Sequence, residues 1–191
     1  MNVQWTRTGR RLAAALAATA VAALLPVAAP AATGTATIAA GALGFVSTPP
    51  NVSFSATLNG LDQTVTTTQA VDIGDATGAG TGWNLTATST TFTTGGGSPH
   101  LLSTSATSVS SAPADACDAS ATCTLATNGV TYPYVLPAGA SAPTATKLYN
   151  AAANTGLGNQ TVTPTWRLSV PASTFAGTYT STWTISLVSG P

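Results

Sequence analysis

The chain has 191 residues, of which 44% are hydrophobic and only 5% charged: five basic residues against five aspartates, with no glutamate, one histidine and two cysteines. That length holds one domain or a small pair. So few cations exclude a nucleic-acid binder that neutralises a phosphate backbone, and equally a basic patch for an anionic membrane.

Arg7, Arg10 and Arg11 precede the unbroken Ala/Leu/Val/Thr run Leu12–Leu25, which Pro26 ends. Its 14 residues fall short of the roughly 20 that a spanning helix needs, and small residues follow. Residues 1–32 are therefore predicted to be a signal peptide, cut within Val27–Ala32 or after it. The Arg10-Arg11 pair has flanks that suit the twin-arginine route poorly, so ordinary secretion is expected, with no membrane span in the mature chain. Past that segment, Lys147 and Arg167 stand against Asp62, Asp72, Asp75, Asp115 and Asp118, a balance of −3.

The remainder, 33–191, is rich in Thr, Ser, Ala, Gly and Val and shows no apolar stripe at helical spacing. Alternation at period two recurs instead, broken by Gly, Pro and Asn, which predicts an all-β fold. We expect an antiparallel β-sandwich, Greek-key or Ig-like, with a loop-rich insertion. Strands are predicted at Ala42–Val46 and Val52–Thr57 around the turn Pro49-Pro50-Asn51. Asn59-Gly60 signals a turn, and Thr64–Ile73 follows as a strand. The glycine-rich bend Asp75–Gly82 then opens a strand over Trp83–Thr93, where Trp83 and Leu85 share a face.

Gly95–Pro99 is a loop by composition, and His100–Val109 is a further strand. From Ser110 to Ala142 the chain is irregular and is expected to decorate one end of the sandwich. Cys117 and Cys123 lie there, and in an exported protein the expectation is a disulfide stapling that loop. Short strands are expected at Thr122–Leu125 and Val130–Leu136, joined across Asn128-Gly129. Lys147–Ala151 reads either way. Gln160–Val170 carries Val162, Trp166, Leu168 and Val170 on one face. A bend at Ala176-Gly177 leads to the closing strand Thr178–Val188. No second helix-length apolar run follows, so retention on a cell is expected to be non-covalent.

Catalytic signals are missing. His100 follows a Gly-Ser-Pro loop, reads as a solvated loop-edge side chain, and has no Gly-x-Ser-x-Gly elbow to serve. Asp72 and Asp75 flank Gly74, too close along one turn for a glycosidase pair and too few for calcium; turn capping is the expectation. Neither enzyme activity, metal nor cofactor is expected. The tryptophans Trp83, Trp166 and Trp183 each precede an aliphatic residue at i+2 and can serve as core anchors or as an apolar platform for sugar rings.

Gly41-Ala42-Leu43-Gly44-Phe45, Asn59–Val65, Asp75…Gly78…Gly82-Trp83-Asn84-Leu85-Thr86-Ala87, and Val170-Pro171-Ala172…Ala176-Gly177-Thr178-Tyr179 with the closing strand resemble the WxL domain family of secreted Gram-positive surface proteins. The first motif has Thr77 where the family commonly has arginine. The second Trp-x-Leu would fall on Ile185-Ser186-Leu187, with the tryptophan two residues earlier at Trp183, on the same strand face; Trp166-Arg167-Leu168 competes for the assignment. The resemblance implies a β-sandwich that binds peptidoglycan or another wall polymer non-covalently through both Trp motifs. It also implies sibling surface proteins as partners. The expected contact residues are Trp83, Leu85, Trp183, Ile185, Leu187 and Trp166, which need the two motif segments to converge. The alternative is a structural or adhesin subunit that binds other surface proteins by strand edges or the insertion, its tryptophans only core.

Overall fold

A computed structural model describes residues 32–191, so the expected signal segment lies outside the described residues except for Ala32. Two long strand pairs organise the fold. Inward residues alternate without a break at the odd positions from Gln63 to Asp75 and at the even positions from Gln160 to Val170. Each run was expected as one strand, and each bends midway. The first gives β2 (Gln63–Thr68) and β3 (Val71–Asp75), the second β10 (Gly158–Thr163) and β11 (Thr165–Val170).

The bend falls where a donor is missing, because Pro164 has no N–H for the ladder. Its carbonyl instead accepts the Gln69 N–H at 3.1 Å, so pairing carries across the crease. A third strand creases at the same level: β5 (Thr107–Val109) pairs with β11, and β6 (Ala114–Cys117) with β10. At the margins β1 (Leu43–Phe45) pairs with β3, and β7 (Tyr134–Val135) with β5.

Packed on this creased sheet is a second layer centred on β4 (Trp83–Thr90). It pairs antiparallel with β12 (Trp183–Ser189) on one side. On the other lie β9 (Thr146–Ala151), antiparallel, and the two-residue β8 (Ala138–Gly139), in a parallel pairing. One apolar core spans both layers, holding Val71, Ile73, Leu85, Leu148 and Val162, each 0% exposed. A smaller cluster of Leu102, Ala106, Leu168 and Val170 lies beyond the crease, with Phe54, Val65, Phe92 and Tyr179 packed against it.

The all-β sandwich expected from composition is what forms, without a helix among the described residues. Among those residues no helix is long and apolar enough to cross a membrane. Cys117 and Cys123 are bonded, their Cα atoms 5.6 Å apart.

Three expectations need revision. The irregular segment 110–142 is no mere decoration: it supplies β6, β7 and β8 to three sheets and puts Leu136 at 0% exposure. No hairpin forms across Asn128-Gly129, because two asparagines tie that turn to β9 instead. The Asn128 Oδ1 accepts the Val130 and Asn150 N–H groups at 3.1 and 3.2 Å, and the Gly129 N–H donates to the Asn150 Oδ1 at 2.8 Å. Finally, Val52–Thr57 is not a strand. Val52 and Phe54 alternate with exposed Ser53 and Ser55, yet no β-ladder takes the segment in.

Candidate functional site

The two motif segments do converge, as hydrogen-bonded neighbours. Strands β4 and β12 run antiparallel with Trp183 opposite Ser89, Ile185 opposite Ala87, Leu187 opposite Leu85 and Ser189 opposite Trp83. All four pairs share the inner face, because cross-strand partners project to one side. The same register puts the two indoles at opposite ends of the ladder, about 20 Å apart along the strands at ~3.4 Å per residue. The segments meet and the indoles do not.

Trp83 and Leu85 are both 0% exposed. The Trp83 Nε1–H donates to the Gly156 carbonyl at 3.0 Å, and its ring lies 6.1 Å from that of Tyr149. Gly156 has φ of 77° and faces the indole so closely that a Cβ there would meet Nε1 at 2.5 Å. Glycine is required on both counts. Gly82, before Trp83, is fixed similarly, since a Cβ would run into the Ala151 carbonyl. Trp83 thus seals one end of the core and offers no face to a polymer.

Trp166 is also 0% exposed. Its Nε1–H donates to the Gln69 Oε1 at 2.9 Å, and the Gln69 Nε2 donates to the Pro50 carbonyl at 2.7 Å. A buried amide without partners is costly, and here both ends are satisfied. Gln69 ties the crease to the segment Thr48–Val52 in doing so.

Trp183 is different. It is half-buried, as are Ile185 and Leu187. Its ring meets Trp166 edge to face at 4.8 Å and Phe92 at 6.4 Å. Trp183 and Ile185 line a solvent-open recess walled by Thr48–Val52 on one side and Tyr179–Thr182 on the other. Of the six residues expected to make contact, these two alone reach it; Leu187 packs on the main core from β12. Phe92 and Tyr179 also line it, and no Trp-x-Leu spacing points to either. Strand parity gives no signal for Phe92 either, because continuing the inner odd positions of β4 would turn residue 92 outward.

The carboxylates do not gather. Asp75 is 3% exposed, and its Oδ1 accepts from the Thr77 backbone N–H at 3.0 Å and the Thr77 hydroxyl at 2.6 Å, a turn cap. Burial, and Asp118 close by, push the Asp72 carboxyl above its usual range. Burial does the same to Asp115, against which the Ala126 N–H and the Tyr149 hydroxyl donate. Among the described residues no three His, Cys, Asp or Glu side chains cluster as metal ligands would. His100 is half-buried, not free: its ring stacks on exposed Phe175 at 3.8 Å and 9°.

A surface cell wall-binding domain is the class that matches. The WxL family model, described as a surface cell wall-binding domain, covers residues 34–191, and the chain belongs to that family. No curated protein and no solved structure matches the chain significantly.

Proposed function

We propose that the protein is exported through cleavage near Ala32 and attaches non-covalently to peptidoglycan or an associated wall polymer at the recess beside Trp183 and Ile185. The observation that carries this is the partial exposure of Trp183 in a recess otherwise walled by uncharged side chains. A half-exposed indole backed by a second indole is a rigid apolar surface for the face of a sugar ring, and the Thr and Ser hydroxyls around it are hydrogen-bonding partners. Trp83, Leu85, Leu187 and Trp166 contribute by holding β4 and β12 in register beneath it. On this reading the protein is a binding module and not an enzyme.

Co-sedimentation with isolated cell walls tests the proposal. Trp183→Ala should weaken wall binding by at least about tenfold, the scale of a lost aromatic anchor, while circular dichroism stays native. Equal sedimentation of wild type and a folded Trp183→Ala variant sinks it. Sibling surface proteins as partners are a second reading, favoured by one observation: no strand of the described residues pairs with Val52–Leu58.

A further inference from the structure

Next to the Trp183 recess, and sharing Val52, Phe92 and Tyr179 with it, is a slot of about 610 Å³ over the smaller apolar cluster. Every consecutive residue from Val52 to Leu58 lines one wall and every one from Thr174 to Tyr179 the other. Among the described residues, neither Ser53–Leu58 nor Phe175–Tyr179 makes a backbone–backbone hydrogen bond. Only the Thr57 and Phe175 carbonyls are taken, by the Gln63 Nε2 and the Tyr179 hydroxyl. The slot therefore has an unpaired edge at Ser53–Leu58, a bent wall at Thr174–Tyr179, an apolar floor and no Asp, Lys, Arg or His among its lining residues. Such an edge is a template for an added strand.

The chain carries a segment of matching chemistry. Thr33–Ala40 is exposed throughout and in no strand. It is uncharged, and Ala36, Ile38 and Ala40 alternate with Thr35, Thr37 and Ala39, the pattern of a strand with one apolar face. Ile38 is 93% exposed. The segment cannot fill its own slot. It joins β1, which pairs with the Asp75 end of the β2–β3 ribbon, whereas the slot lies at Val65. The ten steps from Val65 to Asp75 cover about 33 Å of chain, less in a straight line because the ribbon creases at Gln69-Ala70. Ile38 lies five residues before Leu43, which is fixed opposite Asp75, and reaches at most about 18 Å from it, about half the contour to Val65.

We propose that Thr33–Ala40 of one molecule adds as a strand to the slot of a second copy, with Ile38 seated on the floor of Phe54, Phe92, Leu102, Leu168 and Tyr179. Donor segment and acceptor slot are different surfaces, so the contact is heterologous and builds open, head-to-tail chains. This goes beyond wall attachment and does not depend on it.

The test is analytical ultracentrifugation of the chain from Thr33 onward, beside Ile38→Asp and Ser55→Pro variants. Ile38 is almost wholly exposed, so its replacement leaves the monomer intact. Wild type should self-associate with rising concentration, and Ile38→Asp should stay monomeric. A synthetic Thr33–Ala40 peptide should bind the Ile38→Asp protein and slow amide exchange at Ser53–Leu58. It should fail to bind when it carries Asp in place of Ile38, or when the protein also carries Ser55→Pro. Monomeric wild type together with no peptide binding overturns the proposal. So does self-association that persists unchanged in Ile38→Asp, or slot amides slowed by soluble wall glycan and not by the peptide.

Discussion

Trp166 and Trp183 meet edge to face, ring centroids 4.8 Å apart and planes at 74°, although one belongs to the creased sheet and the other to the edge of the opposite layer. The pair clamps the two layers together at the recess, and its members differ in burial. Trp166→Ala should cost about 3–5 kcal/mol of stability in urea unfolding, the range for an enclosed aromatic. Trp183→Ala should cost roughly half that. The double mutant should fall short of additivity by about 0.5–1.5 kcal/mol, the worth of the ring contact itself.

Gln69 holds Trp166 and Pro50 through its two amide atoms. Gln69→Leu leaves the indole N–H without its acceptor and should destabilise by about 1–3 kcal/mol. It also releases Thr48–Val52, so proteolytic nicking near Pro50 should speed up before global unfolding does. Limited proteolysis followed by mass spectrometry checks this.

Gly156 and Gly96 both have positive φ, 77° and 79°, but only Gly156 has Trp83 against it; Gly96 faces open space. Gly96→Ala should cost only the backbone term, about 1–2 kcal/mol. Gly156→Ala should exceed it clearly and shift the tryptophan emission, since the indole must move. Parallel thermal melts and fluorescence spectra distinguish the two.

Stability should rise on mild acidification. Asp72 and Asp115 both have carboxyls raised above the ordinary value, chiefly by burial, with Asp118 adding to the shift at Asp72. A raised acid binds its proton more readily folded than unfolded, so its contribution is fully present below the unfolded value and is lost as pH rises through the folded one. Melting temperature should therefore climb as pH falls from neutral toward the carboxylate range. Asp72→Asn should raise stability at neutral pH and flatten that slope. A melting temperature that falls over the same interval contradicts this assignment.

Period-two alternation made the sandwich legible, because one buried face imposes it. It even marked the inner face of Gln160–Val170 correctly through a crease that Pro164 alone hinted at. The same signal misled at Val52–Thr57, where alternation reflects packing of Val52 and Phe54 without a neighbouring strand to bond. Pairing is a tertiary matter, and nothing local distinguishes a strand from an unpartnered edge. Segment 110–142 hid its strands because pieces of two to four residues are too short to show a period. The Trp motifs fall on two strands, β4 and β12, that pair with each other. Burial of Trp83 beside exposure at Trp183 depends on what lies across the layer, Gly156 in one case and an open recess in the other.

The shared crease has a consequence for how the sequence tolerates changes in length. Inward parity passes through Pro164 and through Gln69-Ala70 uninterrupted, so a single inserted residue would turn every side chain beyond it inside out, presenting Trp166, Leu168 and Val170 to water in the first case and Val71 and Ile73 in the second. Between β5 and β6 the chain leaves the ladder at Ser110–Pro113, and no such count is kept there. Insertions and deletions should be absorbed in that third strand and be ruinous in the other two.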